Sequence, residues 1–118
     1  MKQGIKDCTS CRIGRKGTCS NDKRVISRGS LPCDILFIGE APGPNEIAVG
    51  YPFIGRSGQL LDKIIDESGI RQFLERIAFT NCLMCYPKQP DNDGLRKPTD
   101  KELYNCKKHL KKFIRIAK

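Results

Sequence analysis

The chain has 118 residues, room for one domain with a modest core. Its 22 Lys and Arg against 13 Asp and Glu give a formal net charge of +9, which suggests a polyanionic partner, most simply nucleic acid, or else serves solubility alone. No apolar run is long enough to span a bilayer and residues 1–7 hold no apolar signal core, so a soluble cytoplasmic protein is expected, whose seven reduced cysteines point to metal rather than disulfides.

Residues 1–33 are basic and poor in apolar side chains. They contain a CxxC, Cys8-Thr9-Ser10-Cys11, then Cys19, Lys23, Arg24 and Arg28, and read as an irregular arm held by a metal or by docking on the core. Val25 and Ile26 fit either a short strand or inward packing.

The apolar run Ile35-Leu36-Phe37-Ile38 predicts a buried strand. It runs into the turn Gly39-Glu40-Ala41-Pro42-Gly43-Pro44, as at the carboxyl edge of a parallel sheet, where open α/β sheets bind ligands. An ordinary strand-to-helix connection fits the same residue types. There is no GxGxxG and no Gly-Lys-Ser/Thr, so neither a dinucleotide fingerprint nor a Walker motif is supported.

Ser57 is the expected N-cap of a helix from about Gly58 to Glu67, with Leu60, Leu61, Ile64 and Ile65 on its apolar face and Gly69 as stop signal. Phe73 and Leu74 suggest a short turn, and Ile77 to Leu83 a second buried strand. A Pro-rich loop from Tyr86 to Pro98 follows. Thr99-Asp100-Lys101-Glu102 is a capping box opening a last helix, whose stripe is Leu103, Cys106, Leu110, Phe113 and Ile114. Strand, loop, helix, strand, loop, helix is the order of a parallel α/β unit.

The segment Gly39-Glu40-Ala41-Pro42-Gly43, then Glu46, then Gly50-Tyr51-Pro52-Phe53-Ile54-Gly55-Arg56-Ser57-Gly58-Gln59-Leu60-Leu61-Asp62, closely resembles the first active-site motif of the family 4 uracil-DNA glycosylases. These are the iron–sulfur type of bacteria and archaea. The resemblance implies a three-layer α/β/α uracil-DNA glycosylase-like fold with a parallel central sheet. It covers nearly all of this chain but only the N-terminal part of the family domain. Residues 1–118 are therefore expected to form a single, partial domain, C-terminally truncated, with 1–33 as its basic Cys-containing arm. With only two strands predicted, the last helix's stripe and a sheet edge would lack cover, and the isolated chain is expected to be inactive and to associate.

The cysteines admit two arrangements. On spacing alone, Cys8, Cys11, Cys82 and Cys85 form a paired CxxC of the structural-zinc kind. The resemblance implies instead a [4Fe–4S] cluster on Cys8, Cys11, Cys85 and Cys106, four thiolates suited to a cubane. Cys19, Cys33 and Cys82 would then fill small apolar or half-exposed sites.

The resemblance also implies a pocket for an extruded base. Phe53 stands where the family stacks an aromatic on uracil, and Asn81 where an amide reads the uracil edge. One donor and one acceptor suit O4 and N3–H of uracil and mismatch cytosine. Gly39 and Gly43 would offer amides to O2 and to the departing anion. Glu40 and Glu46 are the acidic candidates for placing water or steadying the cationic sugar. Ala41 occupies the position where the best-known uracil-DNA glycosylases carry Asp. Gly55, Ser57 and Gly58 would hold DNA phosphate at a helix N-terminus. The family's second motif, a His-Pro-Ser loop, has no match; the only histidine, His109, reads as a solvated helix residue. The implied partner is uracil-containing DNA, with no membrane. A non-enzymatic, metal-bound nucleic-acid-binding module is the alternative.

Overall fold

The computed structural model describes residues 25–85 and 96–118. Their core is a three-stranded sheet, β1 (Arg28–Gly29), β2 (Ile35–Gly39) and β3 (Ile77–Asn81), in spatial order β1-β3-β2. β2 and β3 pair in parallel, from Ile35 opposite Ile77 to Gly39 opposite Asn81. β1 pairs antiparallel with the other side of β3, Arg28 opposite Phe79. The sheet is thus mixed, not purely parallel as expected. The extra strand escaped the sequence reading because a two-residue Arg-Gly strand has no apolar alternation to detect.

The central position of β3 explains its composition. All five of its residues are buried, as an interior strand covered on both faces requires. Residues 25–33, at the end of the stretch read as an arm, pack on this body. Val25 and Ile26 turn inward without forming a strand. The Val25 amide donates to the Met84 carbonyl at 2.8 Å, and the buried Thr80 hydroxyl to the Ile26 carbonyl at 2.6 Å.

Helices lie on both faces, as the three-layer expectation required: α1 (Pro44–Val49), α2 (Arg56–Ser68) and α3 (Asp100–Ala117), with a 3-10 turn at Ile70–Gln72. Strand alternation divides the core. Phe37, Ile77 and Phe79 face α2 and meet Leu61, Ile65 and Phe53. Leu36 faces the opposite way, into a cluster of Ile26, Leu83, Met84, Cys85, Cys106, Phe113 and Ala117 under α3. The face of α2 is narrower than expected, because Leu60 and Ile64 are exposed while Leu61 and Ile65 point inward. Its N-cap is Gly55, not Ser57, and it ends on Gly69 in the left-handed conformation at φ 74°. The short helix α1 was not anticipated, although Pro44 at its first position was a signal.

On α3 the buried positions are Glu102, Cys106, His109, Phe113 and Ala117. His109 is therefore a buried residue, contrary to its expected solvation. Leu103, Leu110 and Ile114 flank this stripe half-buried. The predicted capping box is present: the Glu102 amide donates to the Thr99 hydroxyl at 3.1 Å, and the Thr99 amide to the Glu102 carboxylate at 2.9 Å. Arg96 adds two hydrogen bonds of 2.7 Å to the same carboxylate. Among the described residues no helix is long and apolar enough to cross a membrane.

The Arg96 guanidinium, followed by the Thr99 donors, lowers the Glu102 pKa from an ordinary 4.5 to about 2. A depressed carboxylate stabilises the fold above its unfolded pKa, and that contribution is lost as pH falls from about 4.5 towards 2. A shift of this size corresponds to about 3 kcal/mol. Glu102→Gln is therefore expected to lower the melting temperature at pH 7 and to have little effect near pH 2. Thermal melts of both proteins across this range check it; a constant difference between them would refute the assignment.

Candidate active site

The site forms where β2 and β3 end side by side. Gly39 and Asn81 are the last register pair of the parallel ladder. Beyond it, the Cys82 amide donates to the Gly39 carbonyl at 2.8 Å and the Leu83 amide to the Glu40 carbonyl at 2.9 Å, so both chains leave the sheet under control. Asn81 is 3% exposed. A Cβ on Gly39 would fall 2.4 Å from Asn81 Oδ1 and 2.7 Å from Phe53 Cζ. Glycine at position 39 thus lets the Asn81 amide and the Phe53 ring close on the end of β2, where no room is left even for a Cβ. Among the described residues the Asn81 carboxamide has no hydrogen-bond partner. Buried polar groups normally have one. An amide kept buried without one beside an aromatic ring is suited to a planar polar ligand.

Phe53 reaches this point from an unusual backbone position, φ +58°, where residues other than glycine are uncommon. Its ring packs on Phe79 with centroids 5.5 Å apart, and Phe79 stacks in turn on Phe37 at 5.3 Å. Two groups support its backbone. Gly58, in the first turn of α2, lies so close that a Cβ there would be 2.0 Å from the Phe53 carbonyl carbon. Arg28 grips the chain from the sheet side, donating to the Pro52 carbonyl at 2.7 Å and the Phe53 carbonyl at 2.9 Å.

Glu46 organises the loop between β2 and α2. It is buried on α1, and its carboxylate accepts from the Gly43 amide at 3.0 Å, the Ile54 amide at 2.9 Å and the Gly55 amide. Two expected donors are therefore already engaged: Gly43 does not offer its amide to a base, nor Gly55 to a phosphate. The same contacts turn Glu46 to the main chain and away from placing water. Glu40 is exposed and remains the open acidic group of the turn. Ala41 packs against the cluster under α3 and contributes no polar chemistry. Ser57 is exposed in the first turn of α2, where helix amides lack internal acceptors, while Gly58 is buried against Phe53.

Of the predicted metal ligands, Cys85 and Cys106 are buried in one cluster, brought together from the segment after β3 and the second turn of α3. Cys8 and Cys11 lie outside the described residues. Cys33 and Cys82 are half-buried, and Cys33 packs against the same cluster. Among the described residues no three potential ligands form a metal-holding group.

The sequence reading missed Arg28 as part of this site. Its partners lie 24 to 34 residues away, and an arginine in a basic stretch carries no local sign of them. For Glu46 the sign was present in Gly43-Pro44-Asn45-Glu46, where Glu at the third helical position can reach back to the N-cap amide.

The amide and the aromatic ring stand at the carboxyl edge of the sheet, the edge at which open α/β folds bind their ligands. The profile of the uracil DNA glycosylase superfamily matches residues 26–118, and the chain belongs to that superfamily. It is 36% identical over 116 residues to the Type-4 uracil-DNA glycosylase of Thermotoga maritima, covering 98% of this chain and 55% of that protein. The protein of the same name from Archaeoglobus fulgidus is 35% identical over 106 residues, 90% of this chain and 48% of its own. That of Saccharolobus solfataricus is 33% identical over 111 residues, 93% and 46% respectively. The chain spans about half the length of these relatives.

The two acids of the motif are expected to respond differently to neutralisation. Glu46→Gln exchanges an acceptor of three amides for a group with one acceptor oxygen, leaving buried donors unsatisfied at a cost of at least about 2 kcal/mol. Glu40→Gln should leave stability unchanged. Urea unfolding of the two variants separates them, and equal stability would mean the clamp is not structural.

Proposed function

We propose that the protein is a uracil-DNA glycosylase of base excision repair, which hydrolyses the N-glycosidic bond of deoxyuridine and leaves an abasic site. The observation that carries the reading is the buried Asn81 carboxamide, without a partner among the described residues, brought beside the Phe53 ring at Gly39. A flipped base would lay its face on Phe53 and turn its Watson–Crick edge towards Asn81. With N–H aimed at O4 and C=O at N3–H, the amide accepts uracil. Cytosine, with a donor at C4 and an acceptor at N3, meets it with reversed polarity.

The remaining groups take supporting roles. The amides of the turn before Gly43 lie at the carboxyl edge and would stabilise negative charge on the departing base. Glu40 is the group for placing the attacking water or steadying the sugar cation, since Glu46 is spent on the loop. Ser57, at the start of α2, suits a flanking phosphate. The net charge of +9 favours a DNA partner.

A [4Fe–4S] cluster on Cys8, Cys11, Cys85 and Cys106 belongs to the same proposal. Burial of Cys85 and Cys106 in one cluster supports it over zinc on Cys8, Cys11, Cys82 and Cys85, because Cys82 lies outside that group. When bound, the cluster would serve as a covalent-strength tie between the N-terminal residues, the segment after β3 and α3.

Three measurements test this. The gene product should release free uracil from a uracil-containing oligonucleotide; tight binding of uracil-free and uracil-containing DNA alike, without release, would make it a binding module instead. Asn81→Asp should relax discrimination against cytosine, because a carboxyl can accept from the cytosine amino group. Unchanged base preference with lowered stability would reject the reading role. Anaerobically purified protein should be brown and hold about four iron atoms per chain. Cys106→Ala should remove the colour, whereas zinc on the alternative set would survive it.

A further inference from the structure

We infer that Arg28 is a positioning residue that sets the Phe53 ring for the base, an inference that rests on the glycosylase reading of the pocket. Arg28 holds two main-chain carbonyls. Its Nε donates to the carbonyl of Pro52 and its Nη2 to the carbonyl of Phe53. These carbonyls belong to the two peptide units on either side of the Phe53 Cα. Fixing both fixes φ and ψ of Phe53 together, and hence the direction in which its side chain leaves the backbone.

That direction needs holding. Phe53 sits at φ +58°, a conformation a bulky L-residue disfavours when left to itself. Relaxation to negative φ would swing the Cα–Cβ bond and carry the ring away from Gly39 and Asn81.

Arg28 is itself held on three sides. Nη2 is 3.0 and 3.1 Å from the two carboxylate oxygens of Asp62, on the second turn of α2. The guanidinium carbon lies 3.8 Å from the centroid of the Phe79 ring, the same ring that supports Phe53. Pairing of β1 with β3 sets Arg28 opposite Phe79. The two-residue strand therefore delivers one side chain to one place. Only a planar fork does all of this at once: lysine has a charge but neither the second donor plane nor the stacking face.

The test uses the gene product as encoded, with Arg28→Lys and Asp62→Asn as variants. In both, inhibition by free uracil should weaken, by about tenfold for Arg28→Lys, as expected when a base–aromatic stack is lost. Affinity for uracil-free duplex of the same sequence should stay within about twofold, because phosphate contacts lie elsewhere. A tie that is only structural would lower the melting temperature without this selective loss. Phe53 ring resonances, observed with labelled phenylalanine, report ring placement without reference to activity and should move in both variants. Uracil inhibition and Phe53 resonances like those of the parent, in folded variants, would overturn the inference even if melting temperatures fell. If the parent protein neither releases uracil nor is inhibited by it, the glycosylase reading falls, and the resonances alone decide whether Arg28 positions Phe53.

Discussion

The register of β2 against β3 is the constraint on which the site depends. Pairing Ile35 with Ile77 at one end places Gly39 beside Asn81 at the other. In a strand, a slip of one residue sends every side chain to the opposite face. Asn81 would then leave Phe53 and turn towards the cluster under α3, and Phe79 would lose both Phe37 and Phe53. The register is secured from several directions. The Asp34 amide donates to the Arg76 carbonyl at 2.7 Å at the start of the ladder, and the Cys82 amide to the Gly39 carbonyl at its end. Thr80 adds a buried hydrogen bond to Ile26 on the neighbouring segment. Hydrogen bonding from Arg76 also holds the Asp34 carboxyl below its usual pKa, so this entry to the ladder carries a charge pair as well.

Sequence patterns made visible the parts whose causes are local. Ile35 to Ile38 and Ile77 to Leu83 announce strands by composition, the second ending two residues earlier at Asn81, while Gly69 announces a helix end and Thr99 with Glu102 a helix start. Phe53 was marked by the family motif and Asn81 by its place at a strand end where the family has an Asn, and the fold brings them together. What stayed hidden depends on distant partners. Arg28 looks like any arginine of a basic stretch until Pro52, Phe53, Asp62 and Phe79 surround it. β1 has no hydrophobic signature, because it is an edge strand of two residues. His109 was read from its lysine neighbours, yet its burial follows from the seven-residue spacing to Glu102, which carries it to the same side of α3. Leu60 and Ile64 fitted an apolar stripe by periodicity alone, but only Leu61 and Ile65 pack with Phe37, Ile77 and Phe79 of the sheet.

The loop between β2 and α2 separates two tasks that look alike in the sequence. Glu40 and Glu46 are acids of one motif. Glu46 is placed by α1 so that three main-chain amides converge on it, while Glu40 stays open to solvent. A buried carboxylate is tolerable when its lone pairs are met by hydrogen bonds, and this one is met by backbone alone. Arg28 does the complementary work with opposite sign: a cation that grips carbonyls. Between them, an anion and a cation fix both polarities of the loop backbone around Phe53.

A clamp built from main-chain amides is indifferent to the side chains those amides carry. Residue 54 can change in size or polarity without altering what its N–H offers to Glu46, provided it is not proline. The loop is thereby divided into a few positions under strict demand and others open to drift. Substitutions that change the rim can accumulate at the open positions while the loop keeps its shape. A loop held in this way combines a fixed geometry with a variable rim, which is the condition for a lineage to alter the surroundings of the site without rebuilding its frame.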